Sequence, residues 1–380
     1  MLHTTTAPVT AVVIPYVFLP PKNGGHQAGY SLCSALGKKI PTVCISSFGN
    51  AHVGYNFQLE FAFGKGMFKY FSPLAAWRCF RIMKASRVRH CIAQQPFIVP
   101  LLLPLLALSG ISMLVYAHNI EYRRFRSMNK WWWCIVWLVE FVVYRLARQV
   151  LFISPEERIA AIAEFGLDPV KCIDVPYGID RKTPPLASEQ QAARKEIAAA
   201  HGFPEAEHWL LFFGPQNYEP NLDAVLFIAR HLAPLLKAQT KNPYRILICG
   251  GSLPPVYQNL EAYRQYHVDY LGFVEDIDRY VLASDLVLNP ILKGAGVKTK
   301  VLEAIALGKT VVSTESGAFG IQKDVCGQQL VVVADHDTPA FANAVLNHLD
   351  VDKERTPVEF YDYYYRDNVV NRLLPILQKT

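Results

Sequence analysis

Apolar, β-branched runs alternate along the chain with stretches whose apolar residues have helical spacing. A run at residues 11–19 precedes a turn rich in Pro, Asn and Gly at 20–25, a helical stretch at 27–36 and another strand at 42–47. A strand, a helix and a strand in succession predict a parallel sheet with right-handed crossovers. Further short strands are predicted at 114–117 and 149–153.

A second series of the same kind occupies the other half of the chain, with strands predicted at 209–213, 245–249, 268–271, 286–289, 310–313 and 330–333. Since 380 residues at roughly 150 per domain allow two to three domains, the two series predict two Rossmann-like α/β domains. We place them at residues 1–180 and 181–357. The last segment, 358–380, is predicted to be a long helix that packs back on the first domain.

Composition describes a folded, apolar protein with an uneven charge. Hydrophobic residues make up 51% of the chain and charged residues only 18%, which excludes a disordered chain. The net charge of +6 is concentrated in the first 178 residues, where basic residues outnumber acidic ones by ten. This asymmetry favours an anionic partner for the first half. Because the sequence has no zinc-finger, basic-zipper or RNA-recognition signature, we prefer a membrane surface to nucleic acid.

Three apolar segments bear on membrane contact. Residues 97–117 are long enough to span a bilayer, but Pro100, Pro104 and Ser109-Gly110 predict a short buried helix and then a strand. Residues 131–143 predict a buried or interfacial helix, because they include Glu140. Residues 61–89 interleave Lys and Arg with aromatic residues. That pattern fits either a helix lying in a headgroup layer or an ordinary solvated helix face, and with the second basic aromatic segment it favours peripheral membrane contact.

The cysteines and the amino terminus indicate the compartment. Eight cysteines are scattered without close pairs, which argues against a disulfide framework or a zinc knuckle and fits a reducing cytosol. The first 19 residues lack the features of a signal peptide. We therefore expect a cytoplasmic protein, at the inner face of the membrane if the basic half makes contact there.

Two glycine-rich turns are candidates for ligand binding, because ligands of open α/β sheets bind at the carboxyl ends of strands. In the first turn, Gly24 and Gly25 follow a strand and precede a helix, but the dinucleotide fingerprint is lacking and a plain turn explains the pair as well. In the second, Gly294 and Gly296 precede Lys298 and Lys300. Lysines in the first turn of a helix oppose the macrodipole preference for acids, so we predict that an anion such as a diphosphate binds there.

The sequence resembles glycosyltransferase family 4, which has the GT-B fold. The resemblance is specific in the second domain, in residues 213–214, 217, 220–224, 247–251, 272–276, 284–290 and 294–308, and looser in the first, in residues 118–122, 153–154 and 175–180. It implies two Rossmann-like parallel-sheet domains facing across a cleft. It also implies transfer of a sugar from a nucleotide diphosphate donor, UDP- or GDP-linked, with retention at the anomeric carbon and without an essential metal.

The resemblance also implies roles for individual residues. Lys298 and Lys300 would hold the diphosphate, Glu303 the ribose, and Phe273 with Val274 the base through backbone contacts. Gly24 and Gly25 would face the diphosphate from the first domain, and His118 would contact the donor sugar. The remaining donor-site residues by position are Gly214, Asn217, Gly294, Gly296 and Thr299.

Two positions depart from the family pattern. Where many members carry a Glu eight residues before the ribose Glu, this chain has Ala295, so sugar recognition by a carboxylate there is lost. The loop at 214–221 offers amides where members often have a basic residue. Neutralisation of the diphosphate is therefore expected to fall more heavily on the two lysines.

Alternative functions and roles stay open at this point. His118 is either a positioning residue or a core or capping histidine, and His26, just after the first glycine turn, would be the base of an inverting enzyme. A sugar-nucleotide 2-epimerase has the same architecture, and a non-catalytic binding module is also compatible with Ala295. The acidic pairs at 276/278, 335/337 and 350/352 are better explained as helix starts and turns than as metal ligands. The preferred acceptor is a glycan or a lipid-linked saccharide at the cytoplasmic leaflet.

Overall fold

The computed structural model describes residues 8–21, 24–51, 54–294, 296–349 and 355–378. It divides into two compact units. The first comprises Met1–Asp180 together with Tyr364–Thr380, and the second comprises Arg181–Tyr363. The predicted boundary at residue 180 falls at this division, and residues 358–363 belong to the second unit.

The first unit is built on a parallel sheet of seven described strands in the order β3-β2-β1-β4-β5-β6-β7. Their bounds are β1 Val9–Ile14, β2 Thr42–Ser47, β3 Gln58–Phe63, β4 Val88–Gln94, β5 Ser112–Ala117, β6 Gln149–Phe152 and β7 Cys172–Asp174. The central strands are buried on both faces, which is why they read as continuous apolar runs. β1 ends five residues earlier than predicted, because Pro15 cannot donate to the ladder.

Six helices before the division cover this sheet: α1 Gly24–Gly37, α2 Pro73–Ala85, α3 Val99–Ala107, α4 Glu121–Ser127, α5 Trp133–Leu146 and α6 Pro155–Phe165. The predicted helix and strand within 97–117 are confirmed as α3 and β5. Residues 61–89 hold the end of β3, a 3-10 segment at Met67–Phe71, and α2. In the described part of the chain, we find no helix with the length and apolarity needed to cross a bilayer.

The second unit is a parallel sheet of six described strands in the order β10-β9-β8-β11-β12-β13. They span β8 His208–Phe213, β9 Tyr244–Cys249, β10 Val268–Gly272, β11 Leu286–Asn289, β12 Thr310–Thr314 and β13 Leu330–Val333. All six were predicted to within one residue at each end. The helices are α7 Ala187–His201, α8 Glu219–Phe227, α9 Ala233–Gln239, α10 Ile277–Ala283, α11 Thr299–Ala306, α12 Lys323–Cys326, α13 Thr338–Asn347 and α14 Val358–Tyr364.

The prediction of one long carboxyl-terminal helix was wrong. α14 stops at Tyr364, and Tyr365 is extended, with φ −59° and ψ 126°. There the chain forms a parallel bridge with Ile179, whose N–H donates to the Tyr364 carbonyl at 2.8 Å. Two short helices follow, α15 Arg366–Asn371 and α16 Leu374–Leu377, and α15 packs on α1 in the first unit. Here the backbone hydrogen bonds with Ile179 take the place of those that a continuous helix would make.

Candidate functional site

The end of β8 forms a tight turn that only glycine fits. Gly214 has φ +139°, and a Cβ on it would lie 2.7 Å from Nδ2 of Asn221. Gly250, after β9, has φ +136°, and its Cβ would meet the Gly214 carbonyl oxygen at 2.1 Å. The Asn221 amide donates to the Pro215 carbonyl at 3.0 Å. These contacts hold the backbone at the carboxyl end of β8 in one conformation.

Lys300 lies in the first turn of α11 and reaches this glycine turn. Its Nζ donates to the Phe213 carbonyl at 3.0 Å and to Oδ1 of Asn221 at 3.1 Å, and it lies 4.1 Å from the centroid of the Phe212 ring. The structure thus places the Lys300 ammonium group beside the turn that contains Gly214.

Lys298 caps the loop that contains the second pair of glycines. Its Nζ donates to the carbonyl oxygens of Gly294 and Gly296, at 2.8 Å each. Gly294 has φ +99°, and a Cβ there would lie 2.6 Å from the Tyr218 hydroxyl. Gly296 also has a positive φ, +79°. The loop is therefore closed around the ammonium group by its own backbone. Ala295 lies outside the described residues.

Burial lowers the pKa of both lysines. The pKa of Lys298 falls to about 8 because its ammonium is removed from water. That of Lys300 falls to about 7, through burial and then repulsion from Lys298, while the Glu303 carboxylate opposes the shift. The carbonyl and amide oxygens that accept from these lysines are neutral, so they do not offset the repulsion. An anion bound here would restore the usual preference for the charged forms.

The other predicted donor-site residues surround the same edge of the sheet. Thr299 is the first residue of α11, whose amino end has no side-chain cap, and Glu303 lies half-buried one turn later. Asn217 is exposed in the turn after β8. Phe273 follows β10 with 79% of its surface exposed, and Val274 beside it is half-buried. The backbone of this pair is therefore accessible for contact with a base.

The predicted first-unit residues lie at the ends of β1 and β5. Gly24 and Gly25 are the first residues of α1, so the glycine turn leads directly into the helix. The ring of His26, in the same turn of α1, stacks on Tyr16 at 5.9 Å between centroids. His118 follows β5 and lies 4.5 Å from the Tyr116 ring. Burial lowers the pKa of His118 to about 4, so its imidazole is neutral at physiological pH.

Two buried glutamates, which sequence reasoning did not place at the site, hold the turn after His118. The Glu140 carboxylate, on α5, accepts the N–H groups of Glu121 at 2.8 Å and Tyr122 at 2.9 Å. Glu157, on α6, accepts the N–H of Ile120 at 2.9 Å. The sequence feature that could have identified this role of Glu140 is the single carboxylate within the apolar segment 131–143, because an acidic residue in a buried helix needs a hydrogen-bond partner.

The described ranges contain no group of three or more His, Cys, Asp or Glu side chains arranged to hold a metal ion.

Comparison with known proteins concerns the fold of the chain and the domain type of its second unit. Residues 207–350 match the family model described as glycosyl transferases group 1. No curated protein matches the chain. Among solved structures, sucrose-phosphate synthase from Thermosynechococcus elongatus has a TM-score of 0.73 at 15% identity, over 97% of this chain and 98% of that one.

Two other solved structures are similar to this chain over nearly its whole length. Anabaena HepE in complex with UDP has a TM-score of 0.70 at 14% identity, covering 97% of this chain and 99% of that one. WaaG, a glycosyltransferase involved in lipopolysaccharide biosynthesis, has a TM-score of 0.68 at 14% identity, covering 98% and 100%. At this identity the likeness shows the fold, which is GT-B, and the group 1 match shows the domain. The chain is therefore a glycosyltransferase of the GT-B fold, with a glycosyl transferases group 1 domain in its second unit.

Proposed function

We propose that the protein transfers a sugar from a nucleoside diphosphate donor to a glycan or lipid-linked acceptor, with retention at the anomeric carbon. The observation that carries the proposal is the meeting of the ammonium groups of two half-buried lysines with the glycine turns after β8 and β11. Both groups are bonded to neutral oxygens and have lowered pKa values. Such a pair is costly to bury unless a strong anion binds to it.

Breaking the bond between sugar and diphosphate leaves negative charge on the phosphate oxygens. Lys298, Lys300 and the uncapped amino end of α11 would stabilise that charge, because they are fixed in place before the reaction begins. The protein therefore needs no resident metal to neutralise the leaving group in this proposal. Glu303, one turn along α11, would accept hydrogen bonds from the ribose hydroxyls.

The surroundings of His118 favour a positioning role for this residue over a role as a base. A neutral imidazole whose pKa is about 4 is a weak base at physiological pH, so we assign His118 to contact with the donor sugar. In a front-face mechanism the leaving phosphate takes the proton of the acceptor hydroxyl. Retention is tested by the anomeric configuration of the fresh product, which the coupling constant in a proton NMR spectrum reports and which is compared with that of the donor. An inverted product would contradict it.

An exposed basic aromatic surface in the first unit supports a lipid-linked acceptor. We define this surface by the segment 65–81 and the helix α5 with the turn before it. Its exposed apolar side chains are Met67, Phe68, Phe71, Leu74, Trp77, Trp131, Ile135 and Leu138, with Phe68 88% and Trp131 79% exposed. A series of ring contacts joins the two parts. The Tyr70 ring contacts Phe97, Phe97 contacts Phe125, and Phe125 contacts Trp132.

Basic residues flank these apolar side chains. Exposed basic residues lie on the segment 65–81, at Lys65, Arg78 and Arg81, and on α4 and the turn after it, at Arg123, Arg126 and Lys130. Exposed rings beside cationic groups match the boundary between headgroups and acyl chains of an anionic membrane. We therefore propose that the protein acts at the cytoplasmic face of a membrane.

A thermal-shift panel of UDP, GDP and ADP tests the proposed donor site, because a ligand that binds only the folded state raises the melting temperature. We expect one of these nucleotides to stabilise the protein. The double variant Lys298→Met, Lys300→Met keeps the apolar part of each side chain but removes both ammonium groups. In this variant the nucleotide-induced shift of the melting temperature should disappear.

Lys237→Ala is the matched control, because Lys237 is exposed and donates to the Gln265 carbonyl in the same unit. It should retain the full shift. A nucleotide shift that persists in the double variant would place the donor elsewhere, and the absence of any shift with the unaltered protein would contradict the proposed function.

A further inference from the structure

The amino ends of β4 and β5 in the first unit border a cleft that the proposed reaction does not use. It has a volume of about 310 Å³ and lies between the end of α2, the start of β4 and the turn from α3 into β5. We call it the basic cleft, and it is lined by Lys84, Arg87 and Arg89 together with Met83, Val88, Ser109 and Ile111. His118 follows β5, so it lies at the opposite edge of the sheet from this cleft.

The cations of the basic cleft have no acidic partner among the described residues. Lys84, Arg87 and Arg89 are exposed. The ion pairs that the described part of the first unit does form use other arginines, namely Arg123, Arg124, Arg158 and Arg366. The sequence explains the shortage of acids, because Glu60 is the only acidic residue among the first 120. Its carboxylate accepts from Gln58 on β3, at the edge of the sheet, and does not line the cleft.

A tight turn after α2 brings these cations together. The Arg87 N–H donates to the Lys84 carbonyl at 3.1 Å, and only two residues separate α2 from β4. Arg87 has φ +54°, a left-handed conformation that costs a residue with a side chain more than it costs glycine. Arg148, just before β6, donates to the Ser112 hydroxyl at 3.0 Å and adds a fourth cation to the same edge of the sheet. The carboxyl end of α2 offers roughly half a negative charge, which offsets one cation only in part.

The charge and the size of the basic cleft select the ligand. Several cations without an acid favour a ligand with more than one negative charge, and a phosphate group carries roughly two near pH 7 where a carboxylate carries one. The planar guanidinium group also matches phosphate oxygens in a two-point contact. A volume of about 310 Å³ is at the lower end of the roughly 300–1,000 Å³ of small-molecule sites. Since no aromatic side chain among the described residues lines the cleft to stack on a base, linked phosphate groups fit it better than a nucleotide does.

We propose that the basic cleft binds the phosphate groups of a polyphosphorylated ligand, with Arg87 and Arg89 as the main contacts. This site is separate from the diphosphate site proposed for the second unit and does not depend on it. The phosphate groups belong either to a soluble polyphosphate or to the headgroup of a phosphorylated lipid. Both sources present the same oxygen atoms to the cleft, so the experiment separates them.

Titration calorimetry with tripolyphosphate tests the basic cleft. The full chain carries Lys298→Met and Lys300→Met in this experiment, so that the proposed donor site does not contribute. We expect binding that weakens at high salt. Adding Arg87→Gln and Arg89→Gln should weaken it by at least about tenfold. Both arginines are exposed, so the added substitutions should leave the melting temperature nearly unchanged, which shows that the variant is folded.

Arg78→Gln with Arg81→Gln is the matched control, because both residues are exposed on α2, outside the cleft, and the change in net charge is the same. This pair should leave tripolyphosphate binding unchanged. If tripolyphosphate does not bind, or if both pairs of substitutions weaken it equally, the proposal is wrong. If tripolyphosphate binds through Arg87 and Arg89 but no nucleotide binds to the unaltered protein, the proposed function fails while this site stands.

Co-sedimentation with vesicles then separates the two sources. The vesicles are phosphatidylcholine alone or phosphatidylcholine with phosphatidylinositol bisphosphate. A lipid source predicts that the phosphorylated lipid increases sedimentation and that Arg87→Gln with Arg89→Gln abolishes the increase. A soluble source predicts that this variant sediments like the unaltered protein although it no longer binds tripolyphosphate.

Discussion

The Nζ of Lys300 lies 3.1 Å from Oδ1 of Asn221, so a side chain of α11 and one of α8 close the same glycine turn. This contact makes the turn after β8 dependent on an ammonium group whose pKa is about 7. The charge of the site and the shape of its backbone are thereby coupled. The first two predictions concern that coupling.

Nucleotide binding should be accompanied by proton uptake. Near pH 7.5 the free protein carries a partly neutral Lys300, and a bound diphosphate favours the protonated form. Titration calorimetry of UDP in buffers of different ionisation enthalpy should report proton uptake that grows from pH 7 to pH 8. Affinity should fall over the same interval, where the diphosphate itself is fully ionised. Equal heats in all buffers would show that the lysines are already charged.

Asn221→Asp should weaken nucleotide binding without unfolding the turn. The aspartate still accepts from Lys300, but its negative charge raises the pKa of that lysine and repels a diphosphate. The aspartate cannot donate to the Pro215 carbonyl, so we expect affinity for UDP to fall at least about tenfold and the melting temperature to fall modestly. Asn221→Leu is the contrasting variant. It removes the hydrogen bonds to Lys300 and Pro215 and should lower stability by about 1–3 kcal/mol.

Gly250→Ala should be strongly destabilising. Its Cβ would lie 2.1 Å from the Gly214 carbonyl oxygen, and φ +136° is unfavourable for alanine. We expect a loss above about 3 kcal/mol in urea unfolding. Gly64→Ala is the control, because a Cβ there meets nothing within 4 Å. Similar unfolding midpoints for the two variants would contradict the close approach of the turns.

Glu140 should make stability fall with rising pH. Burial raises its pKa from 4.5 to about 8, against the hydrogen bonds from Tyr122, Glu121 and Tyr144. Between these values the folded state binds a proton that the unfolded state does not, so stability decreases as pH rises from about 5 to 8. Urea midpoints at three pH values should show that slope. Glu140→Gln should reduce it, and Glu157, whose pKa is raised by burial to about 7, accounts for the part that remains. Glu156→Gln, at an exposed position in the first turn of α6, should leave the slope unchanged.

Replacing the exposed rings should release the protein from anionic membranes. Phe68→Ser and Trp131→Ser together remove two exposed apolar side chains of the basic aromatic surface. We expect co-sedimentation with vesicles of phosphatidylcholine and phosphatidylserine to fall several-fold, and binding of the unaltered protein to weaken at high salt. Phe273→Ser, an exposed ring of the second unit, is the control for vesicle binding. Equal sedimentation of both variants would exclude this surface.

The sequence predicted the second unit more completely than the first, for a physical reason. Strands β8 to β13 are short apolar runs separated by clear turns, so their bounds followed from pattern alone. β3 and β4 were missed because charged and aromatic residues alternate across 58–94 and resemble a helix face. β7 has only three residues, too few for any periodicity.

Within the site, residue type and spacing identified the groups that carry charge but not those that hold them. Lys298 and Lys300 stood out because cations at the start of a helix need an anion. Asn221 and Glu140 act through contacts to residues distant in sequence or to backbone N–H groups. Such contacts depend on how α8, α5 and the turns pack, which no local pattern records.

The bridge between Ile179 and Tyr365 also determines when the first unit can be completed during synthesis. Its last two helices leave the ribosome only after all of Arg181–Tyr363 has been made. Until then the face of α1 that α15 covers stays open, and the N–H of Ile179 lacks its partner. The first unit can therefore complete its folding only after the final residues of the chain have been synthesised.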